Sequence, residues 1–494
     1  MGAFERLQER LGDALDANVP GSTVEHVVVA LPSYSMSATL LSHYRSRLAA
    51  LEHRFLLGAL QAGRIPGVHV VLVTSRDPGE VVLDYHARLA DPHAPEGVRR
   101  RLSCLVVPDD SPRGVAAKLL DRPDLLTELR DRIGGRVALV EPWNVTAAEV
   151  EVAVALDAPL NGPAPQMWPL GFKSSARRLF REAGVPVPCG EEGVHDGTDV
   201  AAAVARMRRS RPDLDRLVVK VDDSGSGDGN RVVSTRDDRG EPLGEAVLAA
   251  QVLRGAPDWF LRDLAAGGVV EELVDGPRVT SPSAQVDLLP GGGVRLLATH
   301  EQVLGGAQRQ EFVGSRFPAD SAYAADLARH VSAVARLLAR AGAVGRLAVD
   351  FVAVEDAGGW RLNALDLNLR KGGTSHSFAA LRHLVPGCYD ADRGRWVAEH
   401  DGGPRCYRSS DGVVDPVWLG LDPGRAIEAV ADAGLAFDHE QGVGVVLHMM
   451  AALAVEGRVG VTAIGRTVDE ADRLFAAVPD ALRAAARRPG SRTR

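Results

Sequence analysis

The residues best suited to chemistry lie in two nearby stretches, Gly345-Arg346-Leu347-Ala348-Val349-Asp350-Phe351 and Asp366-Leu367-Asn368-Leu369-Arg370-Lys371-Gly372-Gly373. Asp366 and Asn368 are two apart, so on a strand they share one face while Leu365, Leu367 and Leu369 take the other. A hairpin connection over Glu355–Gly359 returns Asp350 opposite or diagonal to Asp366. Carboxylates facing each other repel, and charges among apolar neighbours need partners. A hard cation answers both needs, because Mg²⁺ takes carboxylate and amide oxygens and leaves other positions to water and phosphate. Asp350, Asp366 and Asn368 are therefore the expected metal ligands. A solvated hairpin is the competing reading, and the apolar flanks disfavour it.

A second stretch places Lys220 on the apolar run Leu217–Val221, followed by Asp222-Asp223-Ser224-Gly225-Ser226-Gly227-Asp228-Gly229-Asn230. Glycines let backbone N–H groups approach phosphate oxygens, and a lysine beside them adds a point charge. Alone the signal is weak, since many hairpin turns are rich in glycine. It is not a Walker A loop, because no Gly-Lys-Ser/Thr opens a helix. It is not a kinase loop either, since the lysine precedes the glycines and neither His-Arg-Asp nor Asp-Phe-Gly occurs. Lys173, opening a helix after a Pro-rich stretch, reads by itself as a surface lysine. The run Val269–Val274 reads as a strand whose backbone suits an adenine edge, or simply as a sheet strand.

Three regions must position these groups. From about 25 to 165, Val27–Leu31, Val68–Val73, Leu102–Val107 and Val137–Val140 alternate with helical patterns such as Leu48–Leu60 and Val115–Leu129. Such alternation predicts a parallel, doubly wound α/β domain. Pro32-Ser33-Tyr34-Ser35 follows the first strand, at the carboxyl end where open α/β sheets bind ligands. Between about 170 and 395, helices are expected at Lys173–Gly184, Asp199–Arg208 and Ser321–Ala341. Strands are expected at Leu217–Val221, Val269–Val274, Val279–Leu289, Val294–Leu304, Leu347–Val354 and Arg361–Leu369. A small α/β unit over about 405–485 has a hairpin of Val443–Leu453 and Val459–Ile464. A basic, Pro/Gly/Ser-containing tail, 486–494, is expected to be disordered.

At 494 residues the chain exceeds one core, so two to four domains are expected. A net charge of −8 with signs interspersed gives no sign of nucleic-acid binding, and no apolar run approaches membrane-spanning length. Cys104, Cys189, Cys388 and Cys406 are scattered, which fits a reducing cytoplasm and argues against a zinc site. The amino terminus reads as an amphipathic helix and not a signal peptide.

In their order, five features resemble an ATP-grasp enzyme. They are Lys173 before a helix ending in Gly184-Val185-Pro186-Val187-Pro188, Val219-Lys220 with its glycine loop, Glu271-Glu272-Leu273-Val274, Asp350, and Asp366-x-Asn368. The resemblance implies ATP and Mg²⁺ as cofactors, with an N-terminal α/β domain (1–165) before an ATP-grasp domain (166–395) whose lid spans about 175–275. It implies that Lys173 and Lys220 contact phosphates and that Ser224, Gly225, Ser226, Gly227 and Asn230 cover them. It also implies that Glu271, Glu272, Leu273 and Val274 contact adenine, and that Asp350, Asp366 and Asn368 hold the metal. Two departures stand out. Many members have Glu where Asp366 stands, and Arg278 occupies the neighbourhood where a ribose-binding acid is usual.

Further segments are similar to the pheganomycin-type peptide ligases: Ser281-Pro282-Ser283-Ala284-Gln285, Thr299-His300-Glu301-Gln302-Val303-Leu304-Gly305-Gly306, and Leu369–His376. That resemblance implies an ATP-dependent ligase of antibiotic biosynthesis. It would join a small-molecule carboxylic acid, such as a nonproteinogenic amino acid, to the amine of an amino acid or peptide through an acyl phosphate. Arg370 and Lys371 follow the metal strand and are the candidate catalytic cations. Ser283, Gln285, His300, Gln302, Arg316 and His376 are the candidate substrate-binding residues. A small-molecule kinase and a non-catalytic ATP-binding module are the alternative readings. Oligomeric state is left open and admits a homodimer.

Overall fold

A computed structural model describes residues 2–35, 41–42, 44–224, 229–305 and 311–487. The expected loop residues Gly225, Ser226 and Gly227 lie outside the described residues, as do 488–494 of the expected tail.

Strands β1 (His26–Leu31), β2 (Val68–Thr74), β3 (Leu102–Val106) and β4 (Val137–Pro142) form a parallel sheet in the order β3-β2-β1-β4. Valine dominates because both faces are covered. Val27, Val29, Val71 and Val73 enter one core, while Val28, Ala30, Val70 and Leu72 enter another. Each large aliphatic side chain so buried contributes about 1.5–3 kcal/mol. The single helix expected over Leu48–Leu60 is instead a string of short α and 3₁₀ turns between Arg45 and Gly63. The helix expected over Val115–Leu129 divides into Val115–Leu120 and Pro123–Ile133, since Pro123 is suited to start a helix rather than continue one.

A separate antiparallel sheet contains β5 (Gly190–Glu192), β6 (Arg216–Val221), β7 (Asn230–Ser234) and β8 (Gly268–Glu272), ordered β5-β8-β6-β7. Helix Gly197–Ser210, capped by the Asp196 carboxylate on the Thr198 and Asp199 amides, packs here with Glu245–Leu253 in a core of their own.

The third sheet has eleven strands. Its first seven are β9 (Arg278–Thr280), β10 (Pro282–Leu289), β11 (Gly293–Gly305), β12 (Glu311–Phe317), β13 (Gly345–Asp356), β14 (Gly359–Asn368) and β15 (Gly387–Asp390). The last four are β16 (Arg395–Ala398), β17 (Pro404–Val414), β18 (Gly444–His448) and β19 (Arg458–Gly465). The one strand expected over 279–289 is two, β9 and β10, because Pro282 has no N–H for a ladder and so begins a strand. Helix Ala324–Arg340 covers the sheet with Leu327, Val331, Val334 and Leu338 buried, the stripe its periodicity predicts.

The carboxyl-terminal strands continue this sheet: β17 pairs with β12 through Ser315↔Ser409 and Phe317↔Tyr407, and β19 pairs with β17. Residues of the region such as Trp418 and Val461 share a core with β1 and β2. The strand expected to reach Leu453 ends at His448, because Met449 turns the chain in the left-handed region at φ 55°. The last helix, Val468–Arg487, takes in the first two residues expected to be tail. Among the described residues no helix is long and apolar enough to cross a membrane.

Asp287 on β10 is a buried charge of this sheet, bonded by Arg346 at 2.8 Å and Arg295 at 3.1 Å. Burial pushes its carboxyl upward, but the two guanidiniums outweigh that and hold it far below the usual range. A depressed folded-state pKa gives stability that is present above the unfolded pKa and lost as pH falls through the folded one. Asp287→Ala should cost about 3–5 kcal/mol at pH 7, leaving Arg346 buried without a counter-charge. Denaturant unfolding at pH 7 and pH 3 should show the wild-type advantage shrinking at the lower pH.

Candidate active site

Strands β13 and β14 form a hairpin closed by Ala357 and Gly358, with Asp356 paired to Gly359. Its register sets Asp350 directly opposite Asp366, and Ala348 opposite Asn368. On the far side of β13, Ser283 of β10 is the partner of Asp350. Asp350 accepts from Gln302 Nε2 at 2.7 Å, from Asn368 Nδ2 at 2.9 Å, and from the Ser283 hydroxyl. Burial and the facing Asp366 push Asp350 up to about 6. Arg370 and Lys173 offset that rise only in part, so the two opposed carboxylates keep an excess of negative charge on the Asp350 side. Among the described residues no group of three or more His, Cys, Asp or Glu is placed to hold a metal. Two carboxylates plus an amide oxygen, available from Asn368 by a half-turn of its amide, match a hard divalent cation instead.

Lys173 opens helix Lys173–Glu182 and reaches across to this hairpin. Its Nζ donates to Asp366 Oδ2 at 2.7 Å and to the Ser224 carbonyl at 3.0 Å, which ties β14 to the segment that follows β6. The Ser174 amide bonds Asp222 Oδ1 at 2.8 Å and fixes the same junction from the helix side. Lys220 on β6 lies opposite Asn230 of β7 and ion-pairs with Glu271 of β8, which Arg177 also holds. Glu271 is thus a buried anchor for Lys220 and not a free adenine contact. The Glu272 and Leu273 amides bond the Cys189 and Arg216 carbonyls, so the strand expected to meet the adenine edge has two of its N–H groups occupied.

Arg370 lies two residues past the end of β14. Its guanidinium lies 5.7 Å from the centre of the Trp143 ring and makes no ion pair among the described residues. Burial lowers its pKa, and the Asp366 and Asp350 charges oppose that fall. A half-buried guanidinium whose charge is offset only in part is suited to an anion.

The other expected site residues separate by face. Lys371 is engaged elsewhere: Nζ bonds Glu141 at 2.8 Å and the Pro142 carbonyl at 2.6 Å, so it ties the site to β4 and is not a free catalytic cation. Gln285 is fully buried and holds helix Gly373–Leu384 through Thr374 and Ser375, with no surface left for substrate. His300 is also enclosed, bonding the Tyr407 hydroxyl at 2.6 Å among Phe317 and Phe378, and burial pushes it down to about 3. The alternation of β11 gave its face correctly, but Phe378 and Tyr407, distant in sequence, cover that end. Arg316 points away and grips Asp472 of the last helix at 3.0 Å. Arg316→Ala should leave kcat/KM within about twofold of wild type while lowering stability by about 0.2–1 kcal/mol, read by steady-state kinetics and denaturant melts. His376 stacks on Trp143 at 5.5 Å with planes 3° apart, and burial holds it neutral.

A solved N5-carboxyaminoimidazole ribonucleotide synthetase in complex with ADP superposes with TM-score 0.51 at 14% identity, over 92% of this chain and 96% of that one. A biotin carboxylase of Campylobacter jejuni gives TM-score 0.53 at 14% identity, over 94% and 92%. At such identities the likeness is one of fold, and the fold is that of the ATP-grasp proteins. A family model described as "IQCH-like, ATP-grasp" matches residues 257–385, and one described as "PGM1 C-terminal domain" matches 425–478. The L-propargylglycine–L-glutamate ligase of Streptantibioticus cattleyicolor is 32% identical over 83% of this chain and 84% of its own length. IQ motif-containing protein H of Danio rerio is 23% identical over 70% of this chain, which spans 38% of that protein. The chain belongs to the ATP-grasp peptide ligases of the pheganomycin type, and is an ATP-dependent carboxylate–amine ligase.

Proposed function

We propose that this ligase activates a small-molecule carboxylic acid as an acyl phosphate and joins it to the amine of an amino acid or peptide, releasing ADP and phosphate. The observation that carries the residue assignment is the opposition of Asp350 and Asp366 beside Asn368, with Lys173 on one carboxylate. The activity named for the 32% identical relative, which joins L-propargylglycine to L-glutamate, supports amino acids as the substrate class.

Bound Mg·ATP supplies a transferable phosphoryl group and neutralises charge along the triphosphate. Asp350, Asp366 and the Asn368 amide oxygen are the residues that would hold the cation. Lys173 and Lys220 would hold phosphate oxygens beneath the Ser224–Asn230 loop, and the Glu271–Val274 strand would border the base. An oxygen of the acid takes the γ-phosphoryl group, and Arg370 steadies the resulting acyl phosphate through paired N–H donors. The amine nitrogen then attacks the carbonyl carbon, and the carbon–oxygen bond to phosphate breaks as phosphate leaves. No side-chain nucleophile takes part, so catalysis consists of positioning and charge stabilisation. The β5–β8 sheet acts as a lid over residues from about 175 to 275, excluding the water that would hydrolyse the intermediate. Four free cysteines suit a reducing, cytoplasmic setting.

A phosphate-release screen of amino acids, aryl acids and peptides, with mass spectrometry of products, tests this reading. Amide formation with ADP supports it. Phosphorylated product without any need for amine would favour a kinase and defeat it.

A further inference from the structure

Gln302 is among the residues expected to bind substrate, yet its side-chain nitrogen is engaged by Asp350, one of the expected metal ligands, to which Nε2 donates at 2.7 Å. The bond joins strands that are not neighbours: β13, which carries Asp350, pairs with β10, and β10 pairs with β11, which carries Gln302. Adjacent strands lie about 4.8 Å apart, so the two backbones are roughly 10 Å apart and only a long side chain closes the gap. Ser283 of β10 stands between them, paired with Asp350 on one side and with His300 on the other. A side chain as small as serine leaves the space over β10 to Gln302. His300, in the row itself, is turned to the Tyr407 hydroxyl instead.

The two amides divide the oxygens of Asp350 between them. Gln302 Nε2 meets Oδ1, and Asn368 Nδ2 meets Oδ2 at 2.9 Å. An ionised carboxylate only accepts, so each amide must present its nitrogen to it. They differ in what a cation would do to them. Asn368 is itself an expected ligand, so turning its amide to offer oxygen withdraws the N–H from Oδ2. Gln302 stands two strands away, outside the expected ligand set, and that turn leaves its bond to Oδ1 intact. Oδ2 is therefore the oxygen released for a cation, and Oδ1 the oxygen that stays held. A carboxylate fixed through one oxygen loses less side-chain freedom when the other is engaged.

We infer that Gln302 is a positioning residue for the divalent cation, anchoring Asp350 through Oδ1 so that Oδ2 is presented, and not a substrate contact. The inference rests on the metal assignment proposed above.

The test reads the metal without turnover. The affinity of the full chain for ADP is measured by calorimetry in Mg²⁺ and in EDTA, and the ratio of the two dissociation constants is the coupling between metal and nucleotide. Gln302→Met keeps the length of the side chain without its N–H, and Gln302→Ala removes both. Removing a partner of a metal ligand costs about 10- to 100-fold in metal affinity, so both variants should shrink the ratio about tenfold or to unity, with ADP affinity in EDTA within about twofold of wild type. In turnover, the ADP formation that both lose should return as Mg²⁺ is raised, with KM for the acid and the amine unchanged. A merely structural role would show as a loss in Gln302→Ala that Gln302→Met is spared, and would overturn the anchor. So would a wild-type ratio in both variants, or a raised KM for acid or amine with the ratio intact, which returns Gln302 to substrate binding. Each of these leaves the metal assignment standing. A wild type whose ADP affinity ignores Mg²⁺ overturns the metal assignment itself, and the anchor with it.

Discussion

Asp366→Ala yields a folded protein whose ADP formation falls about 1,000-fold or more. The carboxylate is both the partner of Lys173, at 2.7 Å, and one of the two acids that face each other across β13 and β14. Phosphoryl transfer depends on charge neutralisation worth several kcal/mol, and about 4 kcal/mol corresponds to a thousandfold in rate. Two changes in stability oppose each other. The variant loses an ion pair but also loses the repulsion that pushes Asp350 up to about 6. Its melting temperature should stay within about 5 °C of wild type, an interval of order 1–2 kcal/mol for a large domain. ADP production and calorimetry on one preparation check both halves. Undiminished ADP formation would remove the metal assignment.

Arg370→Ala should lower kcat about 100- to 1,000-fold with KM for ATP little changed, as loss of a preorganised donor to a developing anion does. The effect on stability has the opposite sign from most truncations. Arg370 makes no ion pair among the described residues, and the Asp366 and Asp350 charges offset its burial only in part, so deleting it relieves an incompletely compensated charge. The alanine variant should therefore melt no lower than wild type, and higher if the cavity collapses. Arg370→Lys keeps the charge but not the paired donors, and should recover only part of the rate. A variant of full activity would transfer the anion-binding role elsewhere.

Much of the site was legible because short-range geometry carries it. Two-residue spacing put Asp366 and Asn368 on one face, and a tight turn returned Asp350 to that face. Lys173 and Lys220 were recognisable only through the order of the surrounding motifs, since each alone looks ordinary. What escaped the sequence depends on contacts between distant segments. His300 and Gln302 share a face of β11, yet one is sealed by Tyr407 and the other meets Asp350. No spacing rule distinguishes them. Lys371 reads as a free cation until β4 supplies Glu141. The carboxyl-terminal segment reads as a separate unit because nothing local reveals that β17 joins β12.

The most direct measurement follows the oxygen. Acid substrate labelled with ¹⁸O in its carboxylate is turned over with ATP and amine, and the products are weighed by mass spectrometry. Activation as an acyl phosphate delivers one label to inorganic phosphate, leaves the other in the amide, and yields ADP. Label recovered in AMP, with pyrophosphate as the second product, would contradict it.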